Sequence, residues 1–412
     1  MSPAQTITGL KAALPTRSRA TAKCESATRC TSVYDHTVSS AGPATLPATT
    51  FNYIRRLPHL LLAHARQQRA ATLRHLGEEM FEGRRHNVVT FATVGGGQIA
   101  LFFDARTKLL SKYEQMVSDP HDGDTVQETI FPGYRAVGSI KIPTGRITKR
   151  SGEILEDVKY TDARLNTRLP DSAFVKPEGF TEAPLPALVP TRETRLADGV
   201  YLFESEFNSL VVEFKDHAMV VEPHMSGRGP KATIDKVREM FPGKPIRYVV
   251  ITHHHFDHSA GMRPYVAAGV SVVTTPKNRR YLERMAAGNF TIAPDDQTKA
   301  KRTSVFAFVE GGKRVFTDDK QTVEVIDIGP GLHAQEMLIV YLPKEKLLFQ
   351  GDLLRLNDDG KYTPNTVDDI ALHFYDAMAR LGLKVERVAA VHGPTTSMED
   401  FRKEVEKKRN GN

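Results

Sequence analysis

Residues 252–261 read Thr252-His253-His254-His255-Phe256-Asp257-His258-Ser259-Ala260-Gly261, and they directly follow the all-apolar run 248–251, which has the character of a buried strand. In an extended stretch, side chains at i and i+2 point to one side, so His253 and His255 face together while His254 points away. Two imidazoles on one strand edge suffice to hold one metal ion. If the chain then turns into a helix, Asp257 and His258 project from its first turn beside that pair, close enough to hold a second. The plain alternatives are a polar loop that happens to be rich in histidine and a metal-buffering patch.

Three later positions count against those alternatives. His333 follows a strand and the turn Gly329-Pro330-Gly331, Asp352 follows the strand 347–349 as Gly351-Asp352, and His392 follows 388–391 as His392-Gly393-Pro394. Each lies just past a predicted strand end, where the loops of layered α/β folds gather into one rim. Taken singly, each reads equally well as a polar strand terminus. Their order together does not.

The set His253-x-His255-x-Asp257-His258, then His333, Asp352 and His392, resembles the full ligand signature of the metallo-β-lactamase superfamily, over about 198–412. That resemblance implies an α/β fold, an αβ/βα sandwich of two sheets flanked by helices. It also implies one zinc on His253, His255 and His333, a second on Asp257, His258 and His392, and Asp352 bridging them. One position departs from the pattern: the family usually places an aspartate at the end of an early strand, and here Val220-Val221-Glu222-Pro223 supplies Glu222, which keeps the carboxylate but adds a methylene.

Imidazoles and carboxylates suit zinc, and also iron or manganese when carboxylates are several. A glutamate at the second family position would have favoured a di-iron, oxygen-reducing site; His255 stands there instead. Two cations a few ångströms apart lower the pKa of a shared water toward ~7, so hydroxide is the expected nucleophile, with Asp257 orienting it and carrying its proton. The expected function is therefore binuclear zinc-dependent hydrolysis of a small-molecule carboxylic derivative: a lactone, β-lactam, ester or thioester. The competing functions are phosphodiester cleavage by the same fold, and a ligand carrier with an accessory metal site. His217, His224, Glu336, Arg355 and the Gly227-Arg228-Gly229 loop also invite attention, but each reads more simply as surface or loop chemistry.

Composition narrows these choices. Lys and Arg number 56 against 49 Asp and Glu, and twelve and five of these fall in 1–85, which leaves 44 of each sign from residue 86 onward. A surface that tracks phosphates would need clustered cations near the site, so no nucleic-acid partner is expected. Both cysteines, Cys24 and Cys30, precede Thr31. Any metal in the body of the chain must then be held by His, Asp or Glu. No run approaches the ~20 apolar residues of a spanning helix and no secretory signal is legible; a cytoplasmic location is the default, with a periplasmic or secreted one open. The oligomeric state is not set by the sequence.

Four segments are expected. Residues 1–50, rich in Ser, Thr, Ala and Pro, read as a disordered tail. Residues 51–176 read as a helix over 57–82 followed by an antiparallel β-sheet, with strands at 87–94 and 98–104 joined by Gly95-Gly96-Gly97, then 134–142, 147–149, 154–160 and 162–166. Residues 177–197 read as a linker that includes Pro177, Pro184, Pro186 and Pro190. Residues 198–412 carry strands at 199–203, 209–214, 218–221, 248–251, 270–274, 322–328, 337–342 and 347–349, with helices at 231–241, 261–267, 276–286 and 367–381.

Overall fold

A computed structural model describes residues 7–13, 23–24, 30–31, 58–93, 97–165, 187–225, 227–357 and 359–411. The chain divides into two compact units: Met1–Val117 with Thr125–Leu185, and Ser118–Asp124 with Pro186–Asn412.

The first unit is built on one eight-stranded sheet. Its order runs from Arg74–Phe81 at one edge through Arg84–Ala92, Gln98–Asp104, Leu110–Asp119, Gly123–Ile130, Gly145–Arg150 and Glu153–Leu165 to Ile7–Ala13. Period-two burial supplies its core: Phe91, Leu101 and Tyr113 face one side, where Leu61 and Ala65 of the helix Pro58–Gln68 cover them.

Several expectations need correction here. The helix read over 57–82 stops at Gln68, and Arg74–Phe81 is an edge strand. Gly77, at φ 110°, sits at a register shift in that strand, and Glu82 and Gly83 both take positive φ in the two-residue turn that returns the chain. Val94, Gly95 and Gly96, the end of the expected strand and most of the glycine turn, lie outside the described residues. The strands read at 154–160 and 162–166 are one continuous strand, Glu153–Leu165. The tail 1–50 is not wholly structureless, because Ile7–Ala13 pairs antiparallel with Glu153–Leu165 and satisfies backbone groups that an open sheet edge would leave unpaired; most of the tail lies outside the described residues. So does the proline-rich stretch up to residue 186, while Arg192–Ala197, read as linker, pairs as a strand with Val200–Glu204.

The second unit is an αβ/βα sandwich. One sheet has seven strands in the order Arg192–Ala197, Val200–Glu204, Ser209–Glu213, Ala218–Val221, Ile246–Val250, Ser271–Thr274 and Phe306–Phe308. From Ala218–Val221 onward its pairings are parallel. The other sheet has six strands in the order Lys313–Thr317, Thr322–Asp327, Leu338–Leu342, Leu347–Gln350, Arg387–Ala390 and Thr396–Ser397. Alternation along each strand builds the layers. Val212, Val221, Val250, Leu338, Val340 and Phe349 meet in the core between the sheets. Val211, Val220 and Val249 point outward onto the helices Arg228–Met240, Met262–Ala267 and Arg279–Ala287. Ile339, Leu348 and Val388 point the other way, onto Asp369–Arg380 and Met398–Arg409. Strands buried on both faces must be apolar at every position, which is why they read as unbroken apolar runs.

Arg263 fastens this unit's outer layer. Although only 3% exposed, its guanidinium donates two bonds to the Asp295 carboxylate (2.6 and 2.9 Å) and others to the carbonyls of Met285, Ala286 and Gly288. Burial pushes the Asp295 carboxyl up, but the bonds from Arg263 and Thr298 outweigh it and bring the pKa down to about 2. Arg263→Leu should leave that carboxylate unpaired and cost about 3–5 kcal/mol in urea unfolding. The Asp295 contribution is present above the ordinary carboxylate pKa and is lost as pH falls from ~4 towards 2, so this acid limb should be reduced in the variant's stability profile, where only the Thr298 bonds remain.

Candidate metal centre

The parallel strands end at one rim of the sandwich, and the seven predicted donors meet there. Ile246–Val250 leads into Thr252 and His253, and the short helix Phe256–Ser259 carries Asp257 and His258 in its single turn. Leu347–Gln350 delivers Asp352, Arg387–Ala390 delivers His392, and the loop between Thr322–Asp327 and Leu338–Leu342 delivers His333. His253, His255, His333 and Asp352 form one group of donor atoms lying within 4.8 Å of one another, and Asp257, His258, Asp352 and His392 form a second.

Asp352 belongs to both groups, one oxygen to each. Its Oδ2 lies 3.4 Å from His333 Nε2 and 4.0 Å from His253 Nε2, while its Oδ1 lies 3.2 Å from His258 Nε2 and 3.5 Å from His392 Nε2. Asp257 Oδ2 closes the second group at 3.5 Å from His258 Nε2 and 3.4 Å from His392 Nε2.

This donor set fits divalent cations. His253 Nε2 and His333 Nε2 face each other at 3.0 Å, where two neutral imidazoles pointing lone pairs inward would repel. His258 Nε2, His392 Nε2 and Asp352 Oδ1 are buried without a well-formed hydrogen bond. Burial and the neighbouring imidazoles hold His253 well below the usual histidine range and bring His255 down to about 4, which keeps both rings neutral at neutral pH, each with one nitrogen free to ligate. Burial opposes charge on His258, yet the Asp352 and Glu222 carboxylates outweigh it and raise that ring's affinity for a positive charge. On Asp352, too, burial is outweighed, by the facing imidazoles, and the carboxylate stays ionised.

A second layer of contacts aims the rings. Glu222 is fully buried, accepting from His258 Nδ1 at 2.8 Å through one oxygen and from the Thr252 backbone N–H at 3.1 Å through the other. The longer side chain at this position therefore still orients a ring. Its backbone takes φ 70°, a conformation costly for a non-glycine residue and common where a site dictates geometry. Thr252 Oγ1 lies 3.1 Å from His253 Nδ1. With Nδ1 so engaged in each ring, Nε2 faces the cluster.

Sequence reasoning missed the residues that hold the loops. Asn208 donates to the carbonyls of Ala390 and Gly393 on either side of His392, and fully buried Gln350 accepts from Leu353 N–H and donates to the Leu354 carbonyl, bracketing Asp352. Gln350, a polar residue ending an apolar strand, was the one legible hint. Gly261 sits where a Cβ would come within 2.1 Å of the Pro223 carbonyl oxygen, so only glycine lets the ligand-bearing turn approach the Glu222 strand end. The loop Ser118–Asp124, read as part of the amino-terminal domain, belongs to this unit and sets the His121 ring beside Phe256 and Tyr281.

The remaining candidates lie elsewhere. His254 turns away from the cluster toward Tyr281. His217 stacks on Phe214 and bonds Asp216. His224, brought down to about 4 by burial, lies 3.2 Å from Thr233 Oγ1. Glu336 pairs with Lys277, Arg355 is exposed, and Gly227-Arg228-Gly229 begins the helix Arg228–Met240.

Comparison with known proteins gives the following. Residues 207–392 match the family model described as the metallo-beta-lactamase superfamily. A linear primary-alkylsulfatase from Pseudomonas sp. is 34% identical over 73 residues, 17% of this chain and 11% of that protein. The chain thus spans a small part of that relative's length. Among solved structures, a metallo-beta-lactamase from Pontibacter korlensis aligns at 21% identity and TM-score 0.39, covering 53% of this chain and 99% of that one. The stereoselective inverting sec-alkylsulfatase Pisa1 from Pseudomonas sp. aligns at 17% identity and TM-score 0.37, covering 52% and 40%.

Glu222→Gln retains the side-chain shape but gives up one of two simultaneous acceptor roles, and metal affinity should fall about 10–100-fold in a chelator competition. Gly351→Ala, whose Cβ would lie 2.7 Å from Thr252 Oγ1 and 3.2 Å from His253 Nδ1, should weaken binding in the same assay while the melting temperature changes less.

Proposed function

From the premise that residues 207–392 form a metallo-β-lactamase superfamily domain, we propose that the chain is a metal-dependent hydrolase of small molecules. Its metals, mainly zinc and two per chain, are held by His253, His255 and His333 on one side and by Asp257, His258 and His392 on the other, with Asp352 shared. The observation that carries this reading is the division of Asp352, whose two oxygens face the two donor groups separately.

When bound, such cations supply Lewis acidity and make water ionisable near neutral pH. The chain's own residues do the rest. Glu222, Thr252, Asn208 and Gln350 fix the donors before substrate arrives, so little reorganisation is required during reaction. Asp257, 9% exposed, is held below the usual carboxylate range; burial opposes this, but the facing His392 ring, 3.4 Å away, and the His258 charge prevail. It is ionised at neutral pH and placed to orient a nucleophilic water and take its proton.

The substrate class we favour is a carboxylic derivative: a lactone, β-lactam, ester or thioester. Arg355 is the sole Lys or Arg in the loops 253–261, 329–336, 351–359 and 392–395, which suits one polarised bond better than a long polyanion. The match to an alkylsulfatase supports a second reading, in which the bond cleaved belongs to a sulfate ester.

Two assays follow. Purified protein offered lactone, β-lactam, ester, thioester, alkyl sulfate and phosphodiester substrates should turn over at least one of the first five, lose that turnover to a chelator and regain it with zinc. Chelator-sensitive cleavage of nucleic acid alone would overturn the reading. Asp257→Asn should keep the wild-type melting profile and lose ~10²-fold or more in kcat.

A further inference from the structure

A cavity of about 510 Å³ opens in the second unit among the segments that carry Arg263, Gly288 and 297–304, and none of the seven metal-site donors lines it. That volume is in the range of small-molecule sites. Its charges divide into those already satisfied and those that are not. Arg263 is committed to Asp295, Thr298 and three carbonyls, and Glu283 is paired with Arg279 at 2.8 Å. Lys301 and Arg302, also in the wall, have no carboxylate within ion-pair distance among the described residues. The lining therefore carries two uncompensated positive charges, and Thr303 and Ser304 beside them add hydroxyl donors.

The arrangement is built as well as charged. Lys301 takes φ 49° at the end of Asp296–Ala300 and turns the chain so that 301–304 lines the opening. The Arg302 guanidinium rests against Gly269, at φ 81°, where a Cβ would lie 2.4 Å from its Nη1. Gln297, 4% exposed, donates its amide N–H groups to the carbonyls of Arg302 and Ala286 and so fixes the backbone of the wall. A planar guanidinium, an ammonium and hydroxyl donors around one space suit a tetrahedral oxyanion.

We propose that this cavity, walled by Lys301, Arg302, Thr303 and Ser304, binds the tetrahedral oxyanion group of a small molecule, a phosphate or a sulfate, at a site separate from the metal centre. The test is equilibrium binding of inorganic phosphate to the full chain after chelator treatment, with sulfate as the second arm. Expected are saturable binding of about one phosphate or sulfate per chain, survival of that binding in His253→Ala, and weakening by about tenfold or more in Arg302→Ala and in Lys301→Ala. Both of those side chains are exposed, so their loss should leave the melting temperature near wild type. Absence of saturable binding of either anion, binding indifferent to Arg302→Ala and Lys301→Ala, or binding abolished by His253→Ala would overturn the proposal.

Discussion

Five imidazoles and two carboxylates crowded into one rim attract and repel one another in nearly equal measure, and the second unit is arranged to hold them in that state. Left to itself, His253 would turn its Nε2 away from that of His333, 3.0 Å distant. It cannot, because Thr252 engages its other nitrogen and the sheet beneath is packed on both faces. The same holds for His258, clamped by a Glu222 whose own backbone is held in a left-handed conformation. Strain and unmet polarity of this kind are unfavourable for folding, and the apolar layers on either side of both sheets offset them.

The part of this arrangement that was legible in the sequence is the part that obeys local rules. Strands buried on both faces leave unbroken apolar runs, and donors placed just past their ends stand out against them, so His253, Asp352 and His392 could be placed before any coordinates. The i, i+2 rule separated His254 from its neighbours, and His254 does turn away. The clamps were not legible, because their logic is non-local. Asn208 bonds carbonyls more than 180 residues away, and nothing around it distinguishes that asparagine from any other at a strand start. The need for glycine at Gly261 depends on Pro223 passing beside it, which no local pattern records.

The amino-terminal half shows the converse failure, a local pattern that misled. Apolar residues at helical spacing continued past Gln68, but Leu76 and Met80 are exposed on an edge strand rather than buried on a helix face. The hairpin turn at Glu82-Gly83 was the better signal. Likewise Asp119-Pro120-His121-Asp122-Gly123-Asp124 falls inside the segment 51–176 read as the amino-terminal domain, yet it belongs with the carboxy-terminal unit. It is held by Asp124 accepting from the backbone of Thr291 and Ile292, and by Gly123 lying where a Cβ would meet the backbone of Asn289 at 2.3 Å. Asp122 paired with Arg284 and the His121 ring beside Phe256 and Tyr281 add to these contacts, and none of them leaves a periodic trace.

The central claim is that one carboxylate, Asp352, joins two metal sites. The direct measurement is the metal content of the purified, zinc-reconstituted chain beside that of Asp352→Ala, with circular dichroism to confirm that both are folded. The account predicts about two ions per chain for the wild type and fewer than one for the variant, because both donor groups lose a member at once. A wild-type chain that retains no metal, or an Asp352→Ala chain that still holds two ions tightly, would contradict it.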